Sequence, residues 1–454
     1  MDSKNNRLSI VYKLFKAYLR SLHNKVYYRD TYIINPENIP ADGTPLLIVS
    51  NHQNCLNDPL GILFTINDRK INFITRADVF AISPLANSFL RAIGLLPAFR
   101  MNIDGEESLG KNNETFKMSE RALIDGNTVV MFPEAGHQDK HWLGNFSLGY
   151  TKLAFEAAEM GGFEKDVQIL PSCNHYSHYF GIQNKFLVKF GTPISLKPYY
   201  ELYKTKPRTA QREVNKLVRE QIESLMLNIT DIENYEAIDF IRNSYGVDYA
   251  KSEGVCPGHL PDRLITDKQL CAMLEEAHQA SPDNVEQTYA TALELKEELD
   301  EAKITFDNLR HTPSLITNIV SLIGQLLISP LWFVSLISAW PIYAIDMAIF
   351  KKFSKDHMFE GTFLFAISAL FTLPLMCIIT FIIGCCMANV WVAIAYVLIT
   401  PLLIIFAWRY KENFKRTIHN IRYNCLSKST KGNKLRSLKE QLYNKLNTII
   451  KKNI

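Results

Sequence analysis

Eight cysteines in 454 residues (Cys55, Cys173, Cys256, Cys271, Cys377, Cys385, Cys386 and Cys425) show neither the paired spacing of a zinc site nor a disulfide framework. They read as reduced, buried thiols in a protein facing the cytosol. No Gly-rich phosphate loop is present, and no residue pattern calls for a metal or an organic cofactor. A cleavable signal peptide is not expected, because the first residues lack a continuous apolar core and a small-residue cleavage site. Net charge is only +4, but it is unevenly placed.

What is present starts at Leu46 to Leu60. An apolar run of strand length, 46–50, ends in polar residues and Pro59, after which Leu60, Leu63 and Phe64 take up helical spacing. His52 and Asp58 therefore fall on a strand-to-helix turn, where side chains are held rigidly at the edge of a sheet. A His with a nearby carboxylate works as a general base, because the carboxylate fixes the tautomer and steadies the imidazolium that forms. From this stretch alone, a packed His beside a capping Asp is the plainer reading.

Downstream residues change that balance. The order His52…Asp58, then Gly94 to Arg100, then Phe132-Pro133-Glu134-Ala135-Gly136-His137, then Ile169-Leu170-Pro171 resembles the motif blocks of the glycerolipid acyltransferase family. That family includes the glycerol-3-phosphate and 1-acylglycerol-3-phosphate acyltransferases. The resemblance covers roughly residues 40–200 and is most specific at Asn51-His52 with Asp58 and at Phe132-Pro133-Glu134. It implies His52 as the base acting on a glycerol hydroxyl, Asp58 as its orienting partner, and Glu134 as part of the acceptor site or its scaffold. Asn51, Gly136 and His137 join the implied substrate-binding set, and Arg100 is the candidate phosphate grip through its forked guanidinium. The sequence also departs from the pattern. The family sets its Asp one residue closer to its His, whereas here Asn57 intervenes and the interval is six. Phe99 stands where the family has an acid, and Ala135 and His137 stand at its Gly and Arg. Cys55 offers a rival route through an acyl-enzyme on a thiol.

Five regions are expected. Residues 1–35 read as a basic amphipathic helix for a membrane surface, with Leu8, Val11, Tyr12, Phe15, Leu19, Leu22 and Val26 on one face and Lys13, Lys16 and Arg20 on another. Residues 36–204 alternate strands (46–50, 71–75, 95–99, 128–132, 167–171, 185–190) with helices (85–93, 114–124), giving a helix-covered α/β sheet as the catalytic domain. Residues 205–312 read as a helical connector or lid, with capping-box patterns at Thr230 to Glu233 and Thr266 to Gln269 and a helix start at Ser281-Pro282.

Residues 313–408 contain two apolar runs, 314–350 and 363–408, in which Asp346 is the sole charge. Since about 20 apolar residues span a bilayer, the second run makes an out-and-back hairpin and the first a short hairpin or re-entrant pair. Residues 409–454 form a basic tail with 13 Lys or Arg against Glu412 and Glu440. With Lys351, Lys352 and Lys355, this places the catalytic domain and C-terminus on the cytoplasmic face, with the tail on anionic headgroups rather than on nucleic acid.

The expected activity is transfer of a fatty acyl group from a thioester, acyl-CoA or acyl carrier protein, to a hydroxyl of glycerol-3-phosphate or 1-acylglycerol-3-phosphate. The expected partners are membrane lipids and the acyl donor. A lyso-aminolipid or other membrane alcohol is the alternative acceptor, and a non-catalytic membrane scaffold is the alternative class.

Overall fold

Strand β2 (Leu46–Ser50) is buried along its whole length, which accounts for its unbroken apolar run. The computed structural model describes residues 10–66, 69, 71–76, 87, 94–98, 108–134, 136 and 139–452. They form two compact units, one of residues 1–226 with 354–365, the other of 227–353 with 366–454.

In the first unit, helix α1 (Ile10–Leu22) leads into β1 (Tyr28–Ile34), followed by β2, α2 (Asn57–Thr65), β3 (Ile71–Arg76) and β4 (Leu95–Ala98). Then come α3 (Ser108–Ile124), β5 (Thr128–Met131), α4 (Gly149–Met160), β6 (Gln168–Tyr176), β7 (Asn184–Phe190), β8 (Ile194–Ser195) and α5 (Pro207–Leu225). The sheet runs β1-β7-β6-β2-β5-β3-β4, with β8 beside β6. β2 pairs in parallel with both β5 and β6, and β3 pairs in parallel with β4 and β5. β7 turns back antiparallel to β6, and β1 joins it in parallel. Parallel central strands bring the carboxyl ends of β2, β5 and β6 to one edge, where open α/β sheets bind ligands.

Two sequence boundaries fall inside this unit. The stretch expected to be wholly an amphipathic helix up to residue 35 includes β1, a strand of the sheet. Helix α5, placed in the connector by the division at 204, buries Ala210, Val214, Val218, Ile222 and Leu225 in the core of the sheet unit beside Leu47, Val49, Val129 and Ile169. Its period of four puts those residues on one stripe, which the charged face between them obscures in composition. Close packing of α2 on β7 demands Gly61, where an added Cβ would stand 2.1 Å from the Phe186 ring. The helix expected at 85–93 lies outside the described residues, apart from Asn87.

The turn between α1 and β1 buries His23 among the rings of Tyr28, Phe64, Phe186 and Phe365. Burial pushes its pKa down to about 4, and its Nε2 has no hydrogen-bond partner among the described residues. Between the ordinary value of 6.5 and about 4 the unfolded chain binds this proton and the folded chain does not, so stability falls as pH drops through that window. His23→Phe should remove this part of the acid dependence of Tm while keeping the apolar cluster. A Tm-against-pH curve unchanged by the substitution would refute the assignment.

The second unit is helical. Helices α6 (Tyr235–Asn243), α7 (Tyr245–Ser252), α8 (Leu260–Ala280) and α9 (Pro282–Ala302) precede three long apolar segments: α10 (Leu315–Phe353), a stretch from His357 to Met387 ending in α11 (Leu373–Met387), and α12 (Val390–Leu426). Each is long and apolar enough to cross a membrane. The final helix is α13 (Thr430–Lys452).

Several expectations are corrected here. The run expected at 314–350 forms one continuous helix, Leu315–Phe353, rather than a short hairpin or re-entrant pair. Pro330 removes the backbone donor that would reach Leu326, but the Ser329 hydroxyl bonds the Leu326 carbonyl instead, at 2.7 Å, so the helix passes through. Thr230 to Glu233 caps no helix; α6 starts at Tyr235. Thr266 lies inside α8, its hydroxyl turned back toward the Arg263 carbonyl. Ser281-Pro282 does open α9.

The stretch read as a basic tail is largely helical as far as residue 452. α12 continues to Leu426, and α13 buries Leu435, Leu438, Leu442, Leu446 and Ile450. Its lysines pair with α9: Lys431 with Glu301 at 2.8 Å and Lys434 with Glu298 at 2.7 Å. The Leu spacing of three and four was present in the sequence, masked by the count of basic residues. His259 and His278 lie beside Asp262 and Asp231, their Nδ1 atoms 2.7 and 2.9 Å from a carboxylate oxygen.

Candidate active site

The chain leaves β2 through Asn51, whose buried side-chain amide brackets the backbone of Asn174 on β6. Asn51 Nδ2 donates to the Asn174 carbonyl at 3.0 Å, and the Asn174 N–H donates to Asn51 Oδ1 at 2.8 Å. This pair of bonds extends the β2–β6 ladder by side chain and sets the direction in which residue 52 emerges. Asn51 is thus a scaffold residue within the turn.

His52 Nδ1 lies 2.8 Å from Asp58 Oδ2. That oxygen also accepts the backbone N–H groups of Gln53 and Asn54, each at 2.8 Å, while Oδ1 accepts the Tyr176 hydroxyl at 2.6 Å. Four donors converge on one fully buried carboxyl group, a number that suits an acceptor-only carboxylate. With Nδ1–H directed at Asp58, the imidazole lone pair is on Nε2. The His52 side chain is one-fifth exposed and stacks over Phe132, with ring centroids 4.5 Å apart. It is positioned and still reachable, as a base acting on an incoming hydroxyl must be.

Glu134 follows β5 and connects two segments. Its Oε1 accepts the His52 backbone N–H at 2.8 Å, and its Oε2 accepts the Gly144 N–H at 2.7 Å. Burial holds its carboxyl above the ordinary glutamate range, and the two N–H donors oppose that rise. Those contacts make Glu134 a brace behind the base. Gly136 is exposed, and a Cβ there would meet nothing within 4 Å. Arg100 and His137 lie outside the described residues, as do Phe99 and Ala135.

The interval of six between His52 and Asp58 is absorbed by Cys55, whose backbone is left-handed, with φ of 43°. Its thiol is buried and donates to the Met358 carbonyl at 3.4 Å. A thiol so placed faces the protein interior, which removes the geometric basis for Cys55 as the nucleophile.

Sequence reasoning missed Tyr176, Asn174 and Gly144. Tyr176 lies on β6, beyond the Ile169-Leu170-Pro171 block, and its only sequence signal is a Tyr at the polar end of an apolar strand. Gly144 contributes a backbone N–H, which no residue type announces.

Comparison with known proteins bears on the same residues. The family model described as Acyltransferase matches residues 30–174, so this part of the chain is similar to acyltransferase domains. It begins in β1 and ends in β6, enclosing His52, Asp58 and Glu134.

An uncharacterized acyltransferase of Schizosaccharomyces pombe (strain 972 / ATCC 24843) is 29% identical over 130 residues, which make up 28% of this chain and 19% of the relative. The match thus spans about a fifth of that relative's length. Among solved structures, the 1-acyl-sn-glycerophosphate (LPA) acyltransferase PlsC from Thermotoga maritima aligns over 46% of this chain and 79% of its own, at 19% identity and a TM-score of 0.33.

Proposed function

We propose that the chain is a membrane-associated O-acyltransferase that moves a fatty acyl group from acyl-CoA or acyl carrier protein to a hydroxyl of glycerol-3-phosphate or 1-acylglycerol-3-phosphate, in phospholipid synthesis. The observation that carries this reading is the 2.8 Å bond between His52 Nδ1 and Asp58 Oδ2 at the carboxyl end of β2, inside the stretch that the acyltransferase family model matches.

A thioester is already activated, so the remaining work is deprotonation and positioning. His52 Nε2 takes the proton of the acceptor hydroxyl as its oxygen attacks the thioester carbonyl. Asp58 steadies the imidazolium that results. Collapse of the tetrahedral species breaks the C–S bond, and the departing thiolate takes the proton from His52, restoring the neutral imidazole. Because Asp58 is fixed by three further donors, little reorganisation is needed as charge develops on the ring.

Arg100 is assigned to the acceptor phosphate, and His137 and Gly136 are kept in the proposed substrate-binding set. The cytoplasmic face is proposed for catalysis, on the basis of Lys351, Lys352 and Lys355 following the first apolar run.

The test offers the purified full chain a panel of phosphorylated and unphosphorylated acceptors with each donor type, reading products by mass spectrometry. Arg100→Ala should raise KM for a phosphorylated glycerol about tenfold and leave its dephosphorylated analogue nearly unaffected, because only the former loses a charge-assisted bond. Equal effects on both would favour a lyso-aminolipid or simple alcohol. Absence of any acyl product would favour the scaffold reading.

A further inference from the structure

Residues 354–365 belong to the catalytic unit although they follow the first long apolar helix in sequence and lie outside the acyltransferase match at 30–174. They close on the back of the His52–Asp58 turn. The Leu56 N–H donates to Thr362 Oγ1 at 3.0 Å, the Cys55 thiol donates to the Met358 carbonyl at 3.4 Å, and the Tyr27 hydroxyl donates to the Gly361 carbonyl at 3.3 Å. His357 approaches Asp139 at 3.6 Å and packs on Phe180, and Phe365 packs on Tyr27 and His23. Gly361 sits so close that an added Cβ would stand 2.8 Å from the Tyr27 hydroxyl and 3.3 Å from Asn57 Nδ2.

The two turn residues hydrogen-bonded to the 354–365 segment, Cys55 and Leu56, form the left-handed bulge and the residue just before helix α2, whose first turn carries Asp58. A left-handed non-glycine residue is strained and persists where its surroundings over-determine it. Asp58 ties the turn from inside through the N–H groups of residues 53 and 54, while the bonds from the 354–365 segment reach the next two residues.

We propose that Thr362, with the backbone of Met358 and the close approach at Gly361, is a positioning element for catalysis: it holds the residue-55 bulge in the register that sets the His52–Asp58 pair. The six-residue interval and the segment after the first apolar helix thus work as one device. This inference rests on the acyl-transfer reading of His52, but its geometric part has a separate readout in the protection of Cys55.

The experiment uses the full-length chain in detergent or lipid. Thr362→Val removes the acceptor while keeping the shape, and Thr362→Ser restores it. Loss of one hydrogen bond at the turn is expected to lower kcat by about tenfold with KM for both substrates within about twofold. Alkylation of Cys55 by N-ethylmaleimide, followed peptide by peptide by mass spectrometry, should accelerate by about tenfold in Thr362→Val and return to the starting rate in Thr362→Ser. Gly361→Ala, which displaces the segment by a clash rather than by losing a bond, should reproduce both effects, and it decides the matter if Thr362→Val does not fold. Wild-type kcat and wild-type Cys55 protection in a folded Thr362→Val protein would overturn the proposal, as would a Thr362→Ser protein behaving like Thr362→Val. Accelerated Cys55 alkylation in a chain that transfers no acyl group would uphold the clamp and refute the proposed function.

Discussion

His52→Ala should lower kcat/KM for acyl transfer by on the order of a hundredfold or more, with folding and membrane association retained. The ring is one-fifth exposed, and its removal leaves the other three donors to Asp58 in place, so the loss is one of chemistry rather than of structure. Asp58→Asn should come close in magnitude, because an amide nitrogen would face hydrogen-bond donors in a buried site and the tautomer control over His52 would be lost. Cys55→Ser, by contrast, should keep most activity, since a hydroxyl still donates to the Met358 carbonyl. Steady-state kinetics on the three variants, with circular dichroism as the folding control, reads the outcome. An active His52→Ala protein beside an inactive Cys55→Ser protein would overturn the general-base mechanism.

The second large effect is expected at Glu134. Its carboxylate satisfies two backbone donors, and Glu134→Ala strands both at the edge of the site. Hydrogen bonds to a charged group contribute about 1.5–3 kcal/mol each, so Tm should fall by several degrees and kcat by at least about tenfold as the base loses its brace. The pH dependence distinguishes this role from that of a substrate ligand. Because burial raises the Glu134 pKa above 4.5, the folded chain binds its proton more tightly than the unfolded chain does. Its contribution to stability is therefore fully present below the ordinary glutamate value and declines as pH rises through the raised one. Activity runs the opposite way, since the protonated carboxyl is a neutral and weaker acceptor for the two N–H groups and braces the base less firmly. A Glu134→Ala protein with unchanged kcat and a raised acceptor KM would instead make Glu134 a direct acceptor ligand.

How much of this was legible before folding differs from residue to residue. The β2 run, the turn after it and the His52–Asp58 pairing were readable because strand period, helix onset and paired chemistry are local properties. The brace at Glu134 was legible only as a motif position; its two backbone bonds depend on β5 lying beside β2, a long-range pairing. Strand β1 was hidden inside a stretch with helical spacing, because its partner, β7, lies about 150 residues downstream in the chain. α13 was hidden by its lysines, whose carboxylate partners are on α9. Least readable was Thr362, a hydroxyl in an apolar stretch, whose role depends on the fold returning residues 354–365 to the catalytic unit.

The pairing of α13 with α9 also bears on how the helical unit meets a bilayer. α9 precedes each of the three long apolar segments and α13 follows them, yet Lys431 and Lys434 reach Glu301 and Glu298. Helices joined by ion pairs share one side of any bilayer that the segments between them cross. The crossings between α9 and α13 then sum to an even number, so three segments that are each long enough to cross cannot each do so once.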